Sequence, residues 1–239
     1  MRSGFTTFAA LATCAALTGQ AQADLVGYVD NETGNSADWT NGVNGLGGLI
    51  NTDMDFETHP LGPLDPNHYS GLGVTLTGVN FNDVIFGAGP GQGNDFTEPL
   101  SDGEGLHPAS NYLEAPATAG SLTISFDAPV LGVGFFTVDL FNPNNVNPVT
   151  IEAYDGPNGT GNFLGSYAGA GFNFQKNNLY FMGVTSSAVD IRSLVFVNPA
   201  GAGDRVGIDN IVFATVPSPG LLPAFAVAGL LGSRRRRRA

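Results

Sequence analysis

Between residues 24 and 215, apolar side chains occur in short runs that often alternate with polar ones, and clusters of turn-forming residues separate the runs. Alternation with a period of two is typical of a strand with one buried and one exposed face. No apolar repeat of 3.6 residues stands out, so no helix is predicted in this stretch. Gly (34) and Pro (15) are abundant, as in chains that join many strands by tight turns. The pattern predicts an all-β domain.

About eleven strands are predicted at this spacing, which favours a single two-sheet sandwich of jelly-roll type. The predicted strands cover residues 25–29, 49–57, 73–78, 83–86, 121–126, 130–141, 149–154, 163–167, 179–184, 189–197 and 207–213. Residues 87–111 are too polar and Gly-rich for a core, so we expect an excursion at one end of the sandwich. The domain is expected to occupy residues 24–215, with separate signals at 1–23 and 216–239.

The first 23 residues have the order of a secretion signal. Arg2 supplies a positive start, residues 5–17 are apolar and small, and Ala21 and Ala23 form an Ala-x-Ala cleavage site before Asp24. We therefore expect the chain to be exported and cut at this point.

A lipoprotein signal is the alternative interpretation of the N-terminus, with lipid attached to Cys14. Thr13 fits the position before such a cysteine poorly, and the apolar run would be short. Because Cys14 is the only cysteine of the chain, a mature protein cut after residue 23 has no disulfide. Its core must hold without covalent cross-links.

Residues 216–239 form a tail of three parts: a Pro-Ser-Pro-Gly stretch, an apolar run at 221–231, and an arginine cluster. The prolines block helix continuation, while the arginines stay on the cytoplasmic side of a membrane. About a dozen apolar residues reach roughly 18 Å as a helix, against roughly 30 Å of hydrocarbon, so the tail predicts a transient anchor. The sorting motif consists of Pro217, Ser218, Pro219, Gly220, Arg234, Arg235, Arg236, Arg237 and Arg238.

This order resembles the PEP-CTERM sorting signal, and the resemblance implies processing by a membrane exosortase after transient anchoring in the inner membrane. It covers the last 24 residues, and Ser218 stands where the family usually has Glu. A nucleic-acid-binding patch is the alternative for the arginines, but their place directly after an apolar segment argues against it. The resemblance implies a cell-surface or extracellular destination.

The domain between the signals is strongly acidic. All 21 Asp and Glu lie between Asp24 and Asp209, whereas only Lys176, Arg192 and Arg205 are basic there, which gives a net charge of −18. Such a surface repels nucleic acid and anionic lipid. It attracts cations, and calcium is the natural candidate for an exported carboxylate-rich protein. Solubility alone is the alternative explanation.

Several short sequences follow one another in a familiar order: Met-Asp-Phe-Glu at 54–57, Tyr-Ser-Gly-Leu-Gly-Val-Thr-Leu at 69–76, Thr-Ile-Ser-Phe-Asp at 123–127 and Gly-Ile-Asp-Asn-Ile-Val-Phe at 207–213. This order resembles the β-sandwich domains carried by many PEP-CTERM proteins, which are similar to galactose-binding-like carbohydrate modules. The resemblance covers about residues 49–213 and rests on order, not on a diagnostic motif. It implies a sandwich fold and association with extracellular polysaccharide.

A calcium site is predicted at Asp55, Glu57 and Asp209. Asp53, Asp55 and Glu57 are spaced by two, so one strand would point three carboxylates to one face while Met54 and Phe56 enter the core. If the first and last strands pair, Asp209 approaches them, and the resemblance implies structural calcium in such sandwiches. A solvated strand face is the alternative.

Other candidate sites carry weaker patterns. One Gly-x-Gly-x-Asp turn at 91–95 matches a calcium-binding repeat that works only when stacked. The histidines fit no metal spacing, and the carboxylates Asp102 and Glu104 are close only in sequence. The candidates for an aromatic sugar-stacking platform are Trp39, Tyr69, Phe96 and Tyr112, and the histidines are His59, His68 and His107.

No catalytic residues are predicted, because the sequence has no Gly-x-Ser-x-Gly and the mature chain has no thiol nucleophile. The sequence favours a non-catalytic exported protein that binds polysaccharide or packs into a matrix. The alternatives are a passive structural or adhesive surface protein and a glycan-acting hydrolase that uses loop carboxylates.

Overall fold

The computed structural model describes residues 24–30, 36–81, 83–87, 110–115, 119–138, 149–168, 179–198 and 206–217. These ranges contain thirteen strands, one α-helix and two 3₁₀ turns, at Ser70–Leu72 and Pro157–Gly159. In chain order, the elements are β1 (Leu25–Asp30), α1 (Ala37–Gly45), β2 (Leu49–Met54), β3 (Gly62–Pro63), β4 (Val74–Val79), β5 (Asp83–Gly87), β6 (Ser110–Ala115), β7 (Gly120–Val130), β8 (Gly132–Val138), β9 (Thr150–Tyr154), β10 (Phe163–Ala168), β11 (Leu179–Ser186), β12 (Ile191–Asn198) and β13 (Val206–Thr215).

The strands form two sheets in which the paired strands run antiparallel, so the predicted all-β sandwich is confirmed. The eight-stranded sheet has the order β1-β11-β8-β13-β6-β5-β3, with β2 also paired to β13. The five-stranded sheet has the order β10-β9-β12-β7-β4. Strand β13, the last in sequence, thus lies inside the larger sheet and pairs with β2, β6 and β8.

The core lies between the two sheets because alternate residues of each strand point inward. In β4, Val74 and Leu76 are buried while Thr77 is exposed, and in β7 the buried residues Leu122 and Ile124 flank the half-buried Thr123. Aromatic rings from both sheets fill the centre, where Phe196 contacts other phenylalanines edge to face. The inward set of large apolar side chains therefore supplies the main stabilisation of the fold.

One side of the sandwich is closed by contact between the edge strands of the two sheets. The Tyr167 ring of β10 lies where a side chain on Gly27 of β1 would have to be, and its hydroxyl donates a hydrogen bond to the Leu25 carbonyl oxygen. Leu25 in turn packs where a Cβ on Gly165 would lie. Glycines at these two positions let the edge strands approach closely, and the contact covers strand edges that would otherwise be open to pairing with other chains.

A small second core lies on the outer face of the eight-stranded sheet, beneath helix α1. Trp39 and Val43 of the helix are buried against this face, and the Trp39 indole N–H donates to the Val184 carbonyl oxygen at 3.0 Å. The Phe181 ring packs against Trp39 with ring centroids 5.7 Å apart, and the Phe136 ring packs against Phe181 at 5.2 Å. We call Tyr28, Trp39, Phe136 and Phe181 the aromatic roof.

The aromatic roof lies on three outward-facing glycines, Gly132, Gly134 and Gly183. A Cβ on Gly183 would fall 3.0 Å from both Trp39 and Phe181, and a Cβ on Gly134 would overlap the Phe181 ring. The rings occupy the space that side chains would fill at ordinary strand positions. The roof therefore depends on the absence of side chains beneath it.

Helix α1 corrects the expectation that residues 24–215 contain no helix. Its sequence, Ala-Asp-Trp-Thr-Asn-Gly-Val-Asn-Gly, is rich in weak helix formers, and its only buried residues are Trp39 and Val43, four positions apart. Two apolar positions are too few for a visible period. Packing on the sheet, and not intrinsic propensity, accounts for the helix.

Several strand boundaries also differ from the prediction. Residues 130–141 were predicted as one strand, but β7 continues to Val130 and a new strand, β8, starts at Gly132. Val189, predicted inside a strand, has a φ of 55° and lies in the turn before β12. Strand β6 was not predicted, and its first residues, Ser110 and Asn111, fall in the expected excursion, of which residues 88–109 lie outside the described residues.

Candidate functional site

The predicted row of three carboxylates on one strand face does not form, because β2 ends at Met54. Phe56 has a φ of 59°, which turns the chain out of the extended conformation. Asp55 and Glu57 therefore lie in a turn, where an Asp55 carboxylate oxygen accepts a hydrogen bond from the Glu57 N–H at 3.1 Å. Met54 and Phe56 are fully buried, as predicted.

Strand β13 brings Asp209 toward this turn, since β13 pairs with β2 and Ile211 lies opposite Met54. Asp209 is 1% exposed and lies at an irregularity of the strand, next to Asn210, which has a φ of 47°. The Asp209 carboxylate accepts from the Asn210 N–H at 2.7 Å and from the Asn210 side chain at 3.1 Å. The carboxylate is thus held at the same corner as the β2 turn.

Tyr69 lies near Asp55, Glu57 and Asp209. Its hydroxyl accepts a hydrogen bond from the Phe56 N–H at 2.9 Å. Burial raises the pKa of Tyr69 to about 12, and the negative charges of Asp55, Asp209 and Glu57 add to the increase, while the Phe56 bond opposes it. All three residues of the predicted calcium site therefore lie near enough to Tyr69 to act on its phenol, and calcium binding by them stays a prediction.

The convergence of Asp55, Glu57 and Asp209, which we call the acidic corner, is tied into the larger sheet by Asn111 of β6. The Asn111 N–H donates to a Glu57 carboxylate oxygen at 2.9 Å, and its side chain donates to the Phe56 carbonyl oxygen at 3.2 Å. In the part of the chain that the structure describes, no group of three or more His, Cys, Asp or Glu is placed to hold a metal ion.

His59 and His68 lie together beside this corner, with ring centroids 4.6 Å apart. His59 is buried: one ring nitrogen, Nδ1, is 2.6 Å from the Pro60 carbonyl oxygen, and the other accepts the Asp65 N–H at 3.0 Å. Both nitrogens are therefore occupied by the loop, which makes His59 a structural residue.

The aromatic platform predicted from the sequence is wrong for the residues that the structure describes. Trp39 is 1% exposed, Tyr69 is 5% exposed and Tyr112 is 2% exposed, so none of them offers a face to a sugar. Trp39 belongs to the aromatic roof, and Tyr69 fills the space beside Phe56. Phe96 lies outside the described residues.

A different surface is open to a ligand: the outer face of the five-stranded sheet. The strand registers place side chains in three rows across all five strands, and we call these rows the hydroxyl face. The rows are Phe163-Tyr154-Ser193-Ser125-Thr75, Ser166-Glu152-Val195-Thr123-Thr77 and Ala168-Thr150-Val197-Ser121-Val79.

The composition of the hydroxyl face contrasts with that of the domain. Eight of its fifteen side chains are Ser or Thr, and Glu152 is the one carboxylate among them. Val79 is 59% exposed and Phe163 is 56% exposed, and these two residues lie on opposite edge strands. A protein with 21 acidic residues thus has a broad face that is nearly free of charge.

The turn between β9 and β10 folds over one end of this face. Ser193 accepts the Gly159 N–H at 2.9 Å and donates to the Gly156 carbonyl oxygen at 2.6 Å. Ser125 makes the same kind of double contact with Asn158, and both serines are buried as a result. The turn forms a wall at the end of the hydroxyl face.

The base of that turn is fixed by Asp155. Its carboxylate accepts from the Asn162 N–H and the Asn162 side chain, each at 2.6 Å. These hydrogen bonds lower the pKa of Asp155 because they favour its charged form. The hairpin therefore holds the first residue of β10, Phe163, in register with Tyr154.

Phe163, Tyr154 and Glu152 form a contact cluster at the edge of the hydroxyl face, which we call the edge platform. The Tyr154 and Phe163 rings pack edge to face with centroids 5.6 Å apart. The Tyr154 hydroxyl donates to Glu152 Oε2 at 2.7 Å, which is the main cause of the raised pKa of Tyr154, followed by burial. Alternation in two predicted strands joined by a tight turn was a signal that these three side chains would share a face.

The remaining predicted positions lie outside the described residues. They include the cleavage residues Ala21 and Ala23, Ser218 to the end of the sorting tail, the 91–95 turn, His107, and the pair Asp102 and Glu104. Within the ranges that the structure describes, no helix combines the length and apolar character needed to cross a membrane.

No protein-family model matches the chain, and no curated protein sequence matches it. Among solved structures, the chain is similar to the K3 cleaved adhesin domain of Lys-gingipain from Porphyromonas gingivalis, at 13% identity and a TM-score of 0.40, over 71% of this chain and 99% of that one. It is also similar to the family 11 carbohydrate-binding module of a cellulosomal cellulase of Clostridium thermocellum, at 12% identity and a TM-score of 0.34, over 72% and 98% of the two chains. Similarities this distant carry no argument about ligand or activity.

Proposed function

We propose that this chain is an exported, non-catalytic surface or matrix protein that associates with extracellular polysaccharide through the hydroxyl face. The observation that carries the proposal is the contrast between this face and the rest of the domain: three rows rich in Ser and Thr, with a single carboxylate, on a chain of strongly acidic composition. Outside the part that the turn covers at Ser125 and Ser193, the hydroxyls of this face offer both donors and acceptors to sugar hydroxyls. Exposed apolar groups between them pack on the C–H faces of sugar rings.

The net charge of residues 24–215 limits which class of polysaccharide the domain can bind. Residues 24–215 carry 21 acids against three bases, so a polyanion is repelled at long range. Within the described ranges, Arg192 is the one lysine or arginine, and its guanidinium donates to the carbonyl oxygens of Phe126 and Asp127. Neutral polysaccharide is therefore favoured over polyuronate or nucleic acid.

Binding is tested by affinity electrophoresis of the purified protein in gels that contain the producing organism's own exopolysaccharide. The proposal expects retarded migration relative to a polymer-free gel, with no release of reducing sugar. Unchanged mobility with every glycan, with and without calcium, would contradict polysaccharide binding and leave a passive structural role. Release of sugar would favour the hydrolase alternative.

The sorting part of the proposal is that an exosortase-type enzyme processes the tail while it is briefly anchored in the inner membrane. Its support is the order of Pro217, Ser218, Pro219 and Gly220, an apolar run, and five terminal arginines. Mass spectrometry of the native protein should find a chain that starts at Asp24 and lacks the arginines. Full-length chains in the cytosol with all arginines intact would contradict export and sorting together.

Calcium at the acidic corner remains a proposal. It is supported by the effect of three carboxylates on one buried phenol, since a cation would offset their mutual repulsion. Chelation should lower the melting temperature by several degrees, because about 1 kcal/mol corresponds to roughly 2–4 °C in a domain of this size. Asp209→Ala should abolish the difference, and an identical melt with and without chelator would exclude a stabilising ion.

A further inference from the structure

The edge platform differs from the rest of the hydroxyl face in both chemistry and exposure. Most of the face consists of short side chains that lie close to the sheet, whereas Phe163 projects a ring that is 56% exposed. Tyr154 supports this ring from the neighbouring strand at 5.6 Å and fixes its edge-to-face orientation. An aromatic ring held by a neighbour loses little conformational freedom when a ligand packs on it.

Glu152 adds a directed acceptor to the aromatic pair. One carboxylate oxygen, Oε2, accepts the Tyr154 hydroxyl at 2.7 Å. The other, Oε1, makes no hydrogen bond to the described part of the chain. A carboxylate accepts several hydrogen bonds, and charge-assisted bonds from hydroxyl groups are stronger than neutral ones. Tyr154 therefore orients an acceptor whose second oxygen remains available.

We propose that Phe163, Tyr154 and Glu152 form a sugar-binding subsite for a neutral hexose unit, which packs its C–H face on Phe163 and donates ring hydroxyls to Glu152. This inference rests on the proposed function and names the residues and the ligand class of that same face. A neutral unit is specified because Glu152 repels a uronate carboxylate. The 156–159 turn, held by Ser125 and Ser193, limits the subsite at one end.

The test uses variants of the exported protein and the producer's exopolysaccharide, separated into neutral and acidic fractions. Phe163→Ala should weaken affinity for the neutral fraction about tenfold, the effect of losing one stacked ring. Glu152→Gln should weaken it about threefold, since the amide keeps the shape but loses the charge-assisted bonds. Leu61→Ala is the matched control, because Leu61 is 60% exposed on a loop away from the hydroxyl face.

Each outcome separates this subsite from the broader proposal. If the unaltered protein binds the neutral fraction and Phe163→Ala and Glu152→Gln both bind like Leu61→Ala, the subsite is wrong while the proposed function stands. Preferential binding of the acidic fraction would overturn the ligand class. If no fraction binds the unaltered protein, the proposed function fails. A change of oligomeric state in Phe163→Ala without a change in affinity would identify the edge platform as a contact between copies, and would overturn the inference.

Discussion

The outer faces of the two sheets follow the same alternation of inward and outward residues, but one face is covered by a further layer and the other is open to solvent. On the eight-stranded sheet, the outward positions of β8 and β11 include Gly132, Gly134 and Gly183, and a helix and an aromatic roof cover them. On the five-stranded sheet, the outward positions carry Ser, Thr and Val, and most of the face stays exposed or half-buried. The size of the outward residues thus decides whether a further layer forms.

The two outer faces also differ in what their aromatic rings do, since rings on one face stabilise the fold and the exposed ring on the other can contact a partner. The Trp39 and Phe181 rings on the glycine row are buried and contribute to the free energy of folding. The Phe163 ring on the other face is largely exposed and contributes little to folding, so it is available for contact with a partner. Comparing single substitutions on the two faces therefore tests the assignment of each face.

The largest effect is expected from Trp39→Ala, which should lower the free energy of unfolding by about 3–5 kcal/mol, since it leaves a cavity beneath α1 and removes the bond to the Val184 carbonyl. Phe163→Ala, an aromatic truncation on the exposed face, should cost no more than about 1 kcal/mol. Urea unfolding of both variants measures the difference. Equal losses would break the comparison between a covered and an open face.

Gly134→Ala should come next, at about 1–3 kcal/mol, because the added methyl overlaps the Phe181 ring and forces the roof to shift. Alanine in a strand would otherwise be neutral or better than glycine. Thr123→Ala on the hydroxyl face is the control and should change stability by no more than about 0.5 kcal/mol. A stabilised Gly134→Ala variant would show that the roof does not rest on this glycine.

Ser193→Ala should cost about 1–2 kcal/mol, because it leaves the Gly159 N–H and the Gly156 carbonyl without their partner on the sheet. The Gly159 amide should exchange with solvent faster, which hydrogen exchange detects. Ser121→Ala, on the same face and away from the turn, should leave that exchange unchanged. Unaltered Gly159 exchange in Ser193→Ala would mean that the wall is held by other contacts.

The smallest effect concerns the pH response of the edge platform. The raised pKa of Tyr154 means that its contribution to stability is present below the unfolded value of 10.0 and is lost as pH rises through the folded value. Glu152→Gln should lower the pKa of Tyr154 toward its ordinary value, since the hydrogen bond to the Glu152 carboxylate is the main cause of the increase. Site-resolved NMR titration of the tyrosine rings measures the shift, and an unchanged Tyr154 pKa would contradict the role of Glu152.

The strand pattern allowed much of the fold to be predicted, because alternation in segments such as 121–126 and 149–154 is a local property of the chain. It failed where tertiary contacts decide the conformation. Helix α1 forms because two residues dock on a glycine row that the sequence does not identify as a surface. Phe56 leaves the strand because its ring is buried at the cost of a positive φ.

The candidate sites divide in the same way. The pairing of β2 with β13, which brings Asp209 toward Asp55 and Glu57, agrees with the arrangement assumed for the calcium site, and calcium binding there stays a prediction. The aromatic platform was not predictable, because exposure of an aromatic ring depends on which face a strand buries and on what covers that face. Trp39 follows Asp38 and Phe163 follows Asn162, so each aromatic residue comes directly after a polar one, yet Trp39 is buried and Phe163 is exposed.

The position of β13 has a consequence for the time at which this protein can fold. Strand β1 pairs with β11, and β2 pairs with β13, so the N-terminal strands have no partners until the C-terminal part of the domain is present. Pairings of such high contact order are slow, because loop closure must precede any gain from contact. A chain that is exported as proposed would therefore stay unfolded while it passes through the membrane. The strands of its larger sheet would pair only on the far side.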